Sequence, residues 1–327
     1  MKNEKQKIVT IGGGTGSFTV LSGLKKYDFI DLTAIVSMAD DGGSTGILQD
    51  ELGVLPPGDI RQCLVALAKS SNVLRELFNY RYSNGGLAGH NFGNIFLSTL
   101  EKVSGSFNQS IKEAAQILRI RGKVLPVTLQ NTKLVATFDN GRQIIGEDKI
   151  NQADLANLKK INLEPKARVN PEVIEAITQA DTIIINPGNF FCSIIPNFLV
   201  NGLASAVVKA KAKKMYLANL MTKPGHTDQF TVINFIETLE KYIGDDVIDY
   251  VIYNKEVPEN FLLKKYARQG EYFVQIGDLT TKPKVKFIGQ KLLNKKIYQP
   301  TEGDLLSRTL IRHNSDKLAK TIINLLK

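Results

Sequence analysis

The sequence predicts an α/β fold built on a mostly parallel sheet. Two short β-branched runs, residues 8–11 and 32–38, each lead directly into a glycine-rich turn. Between them, residues 18–27 carry apolar side chains at positions 18, 20, 21 and 24, which is helical spacing. This order is a βαβ unit whose two strand ends open side by side. Ligands of open parallel sheets bind in the crevice outside those strand ends.

Length and composition are those of an ordinary globular protein. The 327 residues are 43% hydrophobic, which is enough for a sizeable core in one large domain or two modest ones. The charged first residues predict no signal peptide, and no apolar stretch reaches the ~18 residues of a membrane span. Cys63 and Cys192 lie far apart and indicate reduced thiols. We therefore predict a cytoplasmic protein with no transmembrane segment.

The formal net charge of +10 comes from lysines spread through the chain. It indicates either a solvated basic surface or a field that attracts anionic ligands. No nucleic-acid-binding module is present, and aromatic residues do not alternate with the basic groups. Nucleic acid is therefore not a predicted partner.

The first glycine turn, GGGTGS at residues 12–17, predicts a loop whose backbone N–H groups hold phosphate. A dinucleotide fingerprint would place glycine where Ser17 stands, and a Walker A loop needs a Gly-Lys pair that is missing. The loop is thus of no standard type. The alternative is a tight strand-to-helix turn without a ligand.

The second glycine turn carries two adjacent acids, Asp40 and Asp41. One acid after a second strand could hold a ribose hydroxyl, as in NAD-binding folds. Two acids beside a phosphate site could instead hold Mg²⁺. The alternative is that one of them only caps the turn.

A third segment begins at Pro56-Pro57-Gly58, which stops the chain before a helix running to about residue 69. Asp59 is its predicted N-cap. Arg61 lies in the first helical turn, where a cation opposes the helix dipole. We therefore expect Arg61 to bind an anion or to pair with an acid such as Asp40. The alternative is an ordinary surface arginine.

A third glycine-rich loop, residues 85–94, leads into an apolar helix. Asn91 or Asn94 could cap that helix or bind a ligand. His90 could contact phosphate or ribose or transfer a proton. A lone loop histidine is also commonly a structural hydrogen-bonding residue.

The pattern then changes to short strands at 124–128, 133–138 and 142–145, with a hairpin signal at 139–141. We interpret residues 123–150 as a β-rich insertion in a single domain covering residues 1–327, followed by a polar connection at 151–168. The α/β rhythm resumes with strands at 181–185, 214–220 and 247–253 and a helix at 227–242. Further candidate ligand-binding residues follow the first two of these strands: Asn189, Ser193 and Lys223.

Seven motifs occur in an order that resembles the gluconeogenesis factor family of bacteria (YvcK-like), within the CofD-like superfamily. The resemblance covers nearly the whole chain. The motifs are GGGTG at 12–16, ADDGGS at 39–44, PPGDIR at 56–61, GHNFGN at 89–94, VLPVT at 124–128, NLMT at 219–222 and LIRHN at 310–314.

The resemblance implies a Rossmann-like three-layer α/β fold and a cytoplasmic protein that binds UDP-sugars such as UDP-N-acetylglucosamine. It also implies a role in cell shape and wall synthesis during growth on gluconeogenic carbon sources. The enzymatic relative, 2-phospho-L-lactate transferase, uses Mg²⁺, and its acidic turn at the acceptor and metal site matches Asp40 and Asp41. The resemblance also indicates Tyr266 and Arg312 as UDP-sugar contacts.

The sequence departs from the family pattern at a few positions. Ile47 and Gln49 lie in a segment where arginines are usual, and His226 stands where glutamate is usual. The loop that contains Asn189 has lost hydroxyl groups. These departures bear on the ligand and on any transfer chemistry, and not on the fold.

Two hypotheses follow, a nucleotide-sugar-binding regulator without turnover and a phosphotransferase-like enzyme with Mg²⁺ at Asp40 and Asp41. No nucleophile–base pair is evident, but phosphoryl-type transfer needs mainly positioning and charge stabilisation. An NAD(P)-binding protein fits less well, because the fingerprint is imperfect. A homo-oligomer and regulatory protein partners are further expectations. The candidate ligand-binding residues are Gly13, Gly14, Thr15, Gly16, Ser17, Asp40, Asp41, Gly42, Gly43, Ser44, Arg61, His90, Asn91, Asn94, Asn189, Ser193, Tyr266 and Arg312.

Overall fold

A computed structural model of the protein describes residues 5–295 and 310–326. Ten strands occur in these ranges. They are β1 (Gln6–Gly12), β2 (Ile30–Val36), β3 (Lys123–Pro126), β4 (Lys133–Phe138), β5 (Gln143–Ile145), β6 (Leu158–Glu164), β7 (Thr182–Ile185), β8 (Lys213–Leu217), β9 (Tyr250–Asn254) and β10 (Lys286–Gln290).

Thirteen α-helices connect and cover the strands in the same ranges. They are α1 (Gly14–Leu24), α2 (Gly43–Leu52), α3 (Gly58–Leu67), α4 (Asn72–Asn79), α5 (Phe92–Ser104), α6 (Phe107–Ile117), α7 (Glu147–Gln152), α8 (Pro171–Thr178), α9 (Ile195–Phe198), α10 (Leu203–Lys209), α11 (Val232–Ile243), α12 (Asn260–Ala267) and α13 (Ser315–Leu326).

Seven strands form one parallel sheet in the order β10-β9-β8-β7-β1-β2-β3. Its central strands are continuous apolar runs, because a parallel sheet covered by helices is buried on both faces. In β7, Ile183, Ile184 and Ile185 are fully buried. The predicted α/β fold with a mostly parallel sheet is confirmed.

The strand order reverses between β1 and β7. From β1 the chain adds β2 and β3 on one side, and from β7 it adds β8, β9 and β10 on the other. Such a reversal leaves a crevice at the carboxyl ends of the two strands, where open α/β sheets bind ligands. The first glycine turn follows β1 at this point.

The second sheet is antiparallel and has the order β5-β4-β6. Its strands differ from those predicted for the insertion. The predicted strand at 124–128 is β3, which pairs in parallel with β2 in the main sheet. The predicted polar connection contains β6, in which Ile161 and Leu163 are buried between exposed polar neighbours. The insertion's sheet therefore spans residues 133–164 and not 123–150. Alternating burial in β6 was the signal that could have located it.

Local predictions elsewhere hold with shifted ends. The hairpin turn at 139–141 joins β4 to β5, with Gly141 at φ +83°. The predicted helix at 227–242 begins only at Val232, where Thr231 forms a capping box with Asn234. Pro196 lies in the first turn of α9, directly after a π-helical segment at 190–194.

Helices α1 and α13 pack unusually closely at Gly23. A Cβ atom there would lie 2.2 Å from the carbonyl oxygen of Ser315. This contact fixes the last helix against the first. No helix within residues 5–295 and 310–326 is long and apolar enough to cross a membrane.

We expect Gly23→Ala to lower the free energy of unfolding by about 1–3 kcal/mol, because the methyl group cannot fit unless α13 moves. Urea denaturation measures the change. Gly86→Ala is the control, since a Cβ atom at Gly86 meets nothing within 4 Å. Equal stability of the two variants would contradict the close packing of α1 on α13.

Candidate functional site

The first glycine turn is closed by side chains and backbone from neighbouring loops. A Cβ atom at Gly13 would lie 2.1 Å from Oδ2 of Asp59, and one at Gly16 would lie 1.7 Å from the carbonyl oxygen of Pro187. Ser17 Oγ accepts a hydrogen bond of 2.9 Å from Asn186 Nδ2. These contacts explain Gly13 and Gly16 as residues that permit close packing.

Asp59 brings a carboxylate to the N-terminus of α1. The backbone N–H of Gly14 donates a hydrogen bond to this carboxylate. Gly14 itself has φ +58°, a conformation that favours glycine. The prediction that Asp59 is the N-cap of α3 is wrong. The N-cap is Pro57, and Asp59 is the second residue of the helix. Its side chain satisfies an amide of another helix.

Asp40 lies beside Asp59 at the start of the second turn. Its Oδ1 accepts from the Gly42 amide at 3.2 Å, and its Oδ2 accepts from Thr45 Oγ1 at 2.9 Å. A Cβ atom at Gly58 would lie 2.4 Å from Asp40 Oδ2, so the start of α3 must be glycine. The N-terminal ends of α1, α2 and α3 thus converge on two carboxylates, which their dipoles stabilise.

Asp41 is used differently from its neighbour. Its Oδ1 accepts a hydrogen bond of 2.8 Å from the backbone N–H of Asp148, in the first turn of α7. Gly146, at the N-cap of α7, also lies close to the Asp41 carboxylate. The two adjacent acids therefore engage separate partners. Asp41 attaches the insertion to the second turn.

Glu147 adds a third half-buried acid from the insertion. Burial, and then the charges of Asp40 and Asp59, raise the pKa of Glu147 to about 8. Burial, and then the charge of Asp40, raise the pKa of Asp59 to about 7. Burial also raises the pKa of Asp40, against the opposing hydrogen bonds from Gly42 and Thr45. The crevice therefore gathers three acids, and two of them, Asp59 and Glu147, keep their protons up to about neutral pH.

Arg61 is the cation nearest to this acidic group, and it is only 8% exposed. Its charge lowers the pKa of both Asp40 and Asp59, so it is not an ordinary surface arginine. Arg61 Nε donates to Asn94 Oδ1 at 2.9 Å, and Nη1 donates to the carbonyl of Phe78 at 3.3 Å. Arg61 thereby joins α3 to the third loop.

The third loop contacts the second turn through Ser44. Ser44 Oγ lies 3.2 Å from His90 Nδ1 and accepts a 3.3 Å hydrogen bond from the Asn91 amide. Asn91 caps α5, since its side chain accepts from the Asn94 amide. The structure thus brings Ser44, His90, Asn91, Asn94 and Arg61 together, as a group beside the acids.

The loops after β7 and β8 form the wall of the crevice that lies opposite the second turn and the third loop. Asn189 Nδ2 donates to Asn151 Oδ1 at 2.6 Å, and Lys223 Nζ donates to the Asn151 carbonyl at 2.7 Å. Burial lowers the pKa of Lys223, and the charge of Glu147 partly opposes that shift. Ser193 lies close to Gly13 and Gly188. The insertion residue Asn151 therefore links both loops.

His226 is buried on this wall, beside the ring of Phe191. Burial, and then the charge of Lys223, lower its pKa to about 4, which leaves the imidazole neutral at pH 7. Of the other departures from the family pattern, Ile47 is exposed and lies on α2 with Gln49. Cys63 and Cys192 are free and buried, as predicted.

Tyr266 and Arg312 lie near each other, at the part of the carboxyl edge beyond β8. Tyr266 is 5% exposed and packs in a small apolar cluster with Leu220 and Ile311. Its hydroxyl accepts a hydrogen bond of 2.6 Å from the Leu310 amide. Arg312 is half-buried. The sequence also allows a structural ion pair of Arg312 with Asp304 or Glu302, two acids that lie outside the described residues.

Sequence reasoning did not identify the roles of Asp59, Glu147 and Asn151. Asp59 was read only as a cap, and Glu147 and Asn151 sit at the ends of a short helix without a distinctive pattern. The one available signal was the glycine directly before Asp59, since Gly58 begins a helix where glycine is otherwise unfavourable. These three residues reach the site only through contacts between segments that are far apart in the sequence.

The fold defines a Rossmann-like α/β protein with a crevice at the switch point of its sheet. A family model described as 2-phospho-L-lactate transferase CofD matches residues 8–293. The chain belongs to the CofD family, within which its curated relatives are gluconeogenesis factors.

Three relatives illustrate the similarity. A Thermotoga maritima protein is 41% identical over 97% of this chain and 98% of its own length. The gluconeogenesis factor of Bacillus subtilis is 36% identical over 99% of both chains. The crystal structure of a Bacillus halodurans protein covers 98% of this chain and 100% of its own, with a TM-score of 0.89 and 34% identity.

We expect the free energy of unfolding to fall as pH rises from about 6.5 to 8, because Asp59 and Glu147 hold protons when folded and release them when unfolded. Below about pH 6.5, His226 and His313 give slopes of the opposite sign, since burial lowers their folded pKa values to about 4. Their folded pKa values, about 7 and about 8, lie above the ordinary values of 3.8 and 4.5. Each group contributes a slope of up to about 1.4 kcal/mol per pH unit between its two pKa values. Urea denaturation across this range measures the slope.

Asp59→Asn and Glu147→Gln should each flatten that slope, since each removes one titrating group. Glu51→Gln, at an exposed position on α2, is the control and should leave the slope unchanged. A wild-type stability that rises over the same range would contradict the assignment of protons to these acids.

Proposed function

We propose that this protein is a cytoplasmic nucleotide-sugar-binding regulator that takes a UDP-sugar resembling UDP-N-acetylglucosamine. Its proposed role is in cell morphogenesis during growth on gluconeogenic carbon sources. The observation that carries the proposal is the convergence of three helix N-termini and two glycine turns on one crevice at the switch point of the sheet. That arrangement favours an anionic ligand with a diphosphate.

In this proposal the diphosphate lies over the open parts of the two turns. A Cβ atom at Gly43 would meet nothing within 4 Å, and one at Gly14 would meet only Asp59 Oδ1, at 3.7 Å. The backbone at these positions is therefore approachable. The amides of Thr15 and Ser44, in the first turns of α1 and α2, are the proposed phosphate donors, since the amide of Gly42 already donates to Asp40.

Asp40 and Asp59 would repel a diphosphate unless a cation lies between them. Mg²⁺ suits this place, since it binds through one or two carboxylates together with substrate phosphates and water. The residues fit the ion, because burial raises the pKa values of both acids and the charge of Asp40 raises that of Asp59 further, and a cation would relieve both effects. When bound, the ion would neutralise phosphate charge. We thus propose Asp40 and Asp59 as the Mg²⁺ ligands in place of Asp40 and Asp41, since Asp41 already accepts a hydrogen bond from the first turn of α7.

The uridine end of the ligand is proposed to reach Arg312. A guanidinium can form a bidentate contact with a phosphate or lie flat against a pyrimidine ring. Tyr266 is buried, so in this proposal it positions Arg312 and does not contact the ligand. Its hydroxyl accepts a hydrogen bond from the amide of Leu310, two residues before Arg312. Lys223 lies between the two ends, in the loop after β8.

A second candidate function is a Mg²⁺-dependent phosphotransferase-like enzyme related to 2-phospho-L-lactate transferase. The observation that favours it is Glu147, a half-buried acid whose pKa of about 8 leaves it protonated at neutral pH beside Asp40 and Asp59. Such a group can donate or accept a proton near operating pH. Mass spectrometry of pure protein incubated with UDP-sugar and Mg²⁺ separates the two functions, since only the enzyme yields a product.

A UDP-sugar is expected to raise the melting temperature by a few degrees. A ligand that binds only the folded state at ~100 times its dissociation constant stabilises it by about 2.7 kcal/mol. Mg²⁺ should increase the shift, because it offsets the charges of Asp40 and Asp59. A thermal-shift series with UDP-sugars and NAD(P), with and without Mg²⁺, measures this. A shift with NAD(P) and none with UDP-sugars would refute the proposal.

Arg312→Ala is expected to weaken UDP-sugar affinity by about tenfold or more, since losing a charged donor in a desolvated site costs ~2–5 kcal/mol. Calorimetric titration measures the affinity, and circular dichroism checks that the variant is folded. Lys320→Ala, at an exposed position on α13, is the control. Wild-type affinity in Arg312→Ala would leave Arg312 as part of the scaffold.

A further inference from the structure

Helix α12 has two opposite faces. Leu262 and Tyr266 are buried in the small apolar cluster with Leu220. The other face is exposed, and it continues onto the loop that enters the helix. We refer to its residues as the α12 face: Lys255, Val257, Phe261, Lys264, Lys265 and Arg268.

Two large apolar side chains of the α12 face are in water. Val257 is 66% exposed and Phe261 is 54% exposed. Both lie at the N-terminal end of α12, within four residues of each other. Apolar surface gains free energy when it leaves water, and neither side chain contributes to the core from this position.

The four cations of the α12 face form no ion pair within residues 5–295 and 310–326. Nearby lysines do form such pairs, as Lys284 does with Asp246 and Lys317 with Glu256. One exposed acid, Glu259, lies at the N-cap of α12. The surface therefore combines uncompensated positive charge with protruding apolar groups.

We propose that the α12 face binds the surface of a bilayer that contains anionic phospholipid. A bilayer matches both features of this surface. Its anionic headgroups attract clustered Lys and Arg, and the acyl boundary accepts apolar side chains. An acidic protein would need a separate pocket for Phe261. A nucleic acid would match the charge but offers no apolar layer for Val257.

Docking through the α12 face would orient the candidate site. Helix α12 directly follows β9, so it lies at the carboxyl edge of the main sheet, as do the two glycine turns. A docked molecule would thus turn this edge toward the membrane. The proposal goes beyond UDP-sugar binding and does not depend on it.

The chain contains no tryptophan, which permits a site-specific optical test. Phe261→Trp should show a blue-shifted, enhanced emission when vesicles of phosphatidylcholine and phosphatidylglycerol are added. Phe29→Trp, at another exposed position, should show no change with the same vesicles. Equal responses of the two variants, or no response of Phe261→Trp, would overturn the proposal.

Vesicle flotation of the full chain tests the charges. Each cation near an anionic surface contributes about a fivefold factor in affinity, so Lys264→Gln with Lys265→Gln should weaken binding about 25-fold. Lys209→Gln with Lys211→Gln is the control, at lysines next to the exposed Val208. Added salt should weaken wild-type binding, since it screens surface charge.

Three results would overturn the proposal: no wild-type binding to the mixed vesicles, equal binding to pure phosphatidylcholine, and equal losses in the two double variants. Unchanged melting temperatures of the variants establish that a loss is not due to unfolding. UDP-sugar affinity measured in parallel should be the same in Lys264→Gln with Lys265→Gln as in the wild type, so a failure of this proposal is distinguishable from a failure of the proposed function.

Discussion

The organisation of this molecule depends on a carboxylate placed at the N-terminus of a helix. Asp59, on α3, accepts a hydrogen bond from the Gly14 amide of α1, directly after the central strand β1. The approach is possible only because Gly13 has no side chain. Asp40 lies beside Asp59, so two half-buried acids share one crevice. The glycine turn, the start of α3 and the charge of the site are therefore one structural unit.

The insertion is part of the site because of where its polar groups attach. Asp41 holds the first turn of α7 to the second glycine turn, and Asn151 at the other end of α7 holds Asn189 and Lys223. Helix α7 consequently carries Glu147 into the acidic crevice. A small antiparallel sheet thus serves to present one short helix to the carboxyl edge of the large sheet.

The departures from the family pattern fall mostly on one wall of the crevice. Asn189 has a partner in Asn151, and His226 is a neutral, buried ring where the family usually has an acid. A neutral group there limits the negative charge that already surrounds Glu147. The turns after β1 and β2 keep their glycines and acids. Asn189 and His226 therefore both lie on the wall formed after β7 and β8.

The sequence by itself determined the parallel sheet, its two glycine turns, the hairpin at 139–141 and the motifs of the family, because these depend on local periodicity and turn chemistry. It did not determine that β3 joins the main sheet or that β6 completes the small one, since strand pairing is a long-range contact. Nor could it show that Asp40 and Asp41 engage different partners, or that Tyr266 is buried. Only the tertiary structure decided what fills the space beside each glycine, because the atoms concerned belong to segments tens of residues apart.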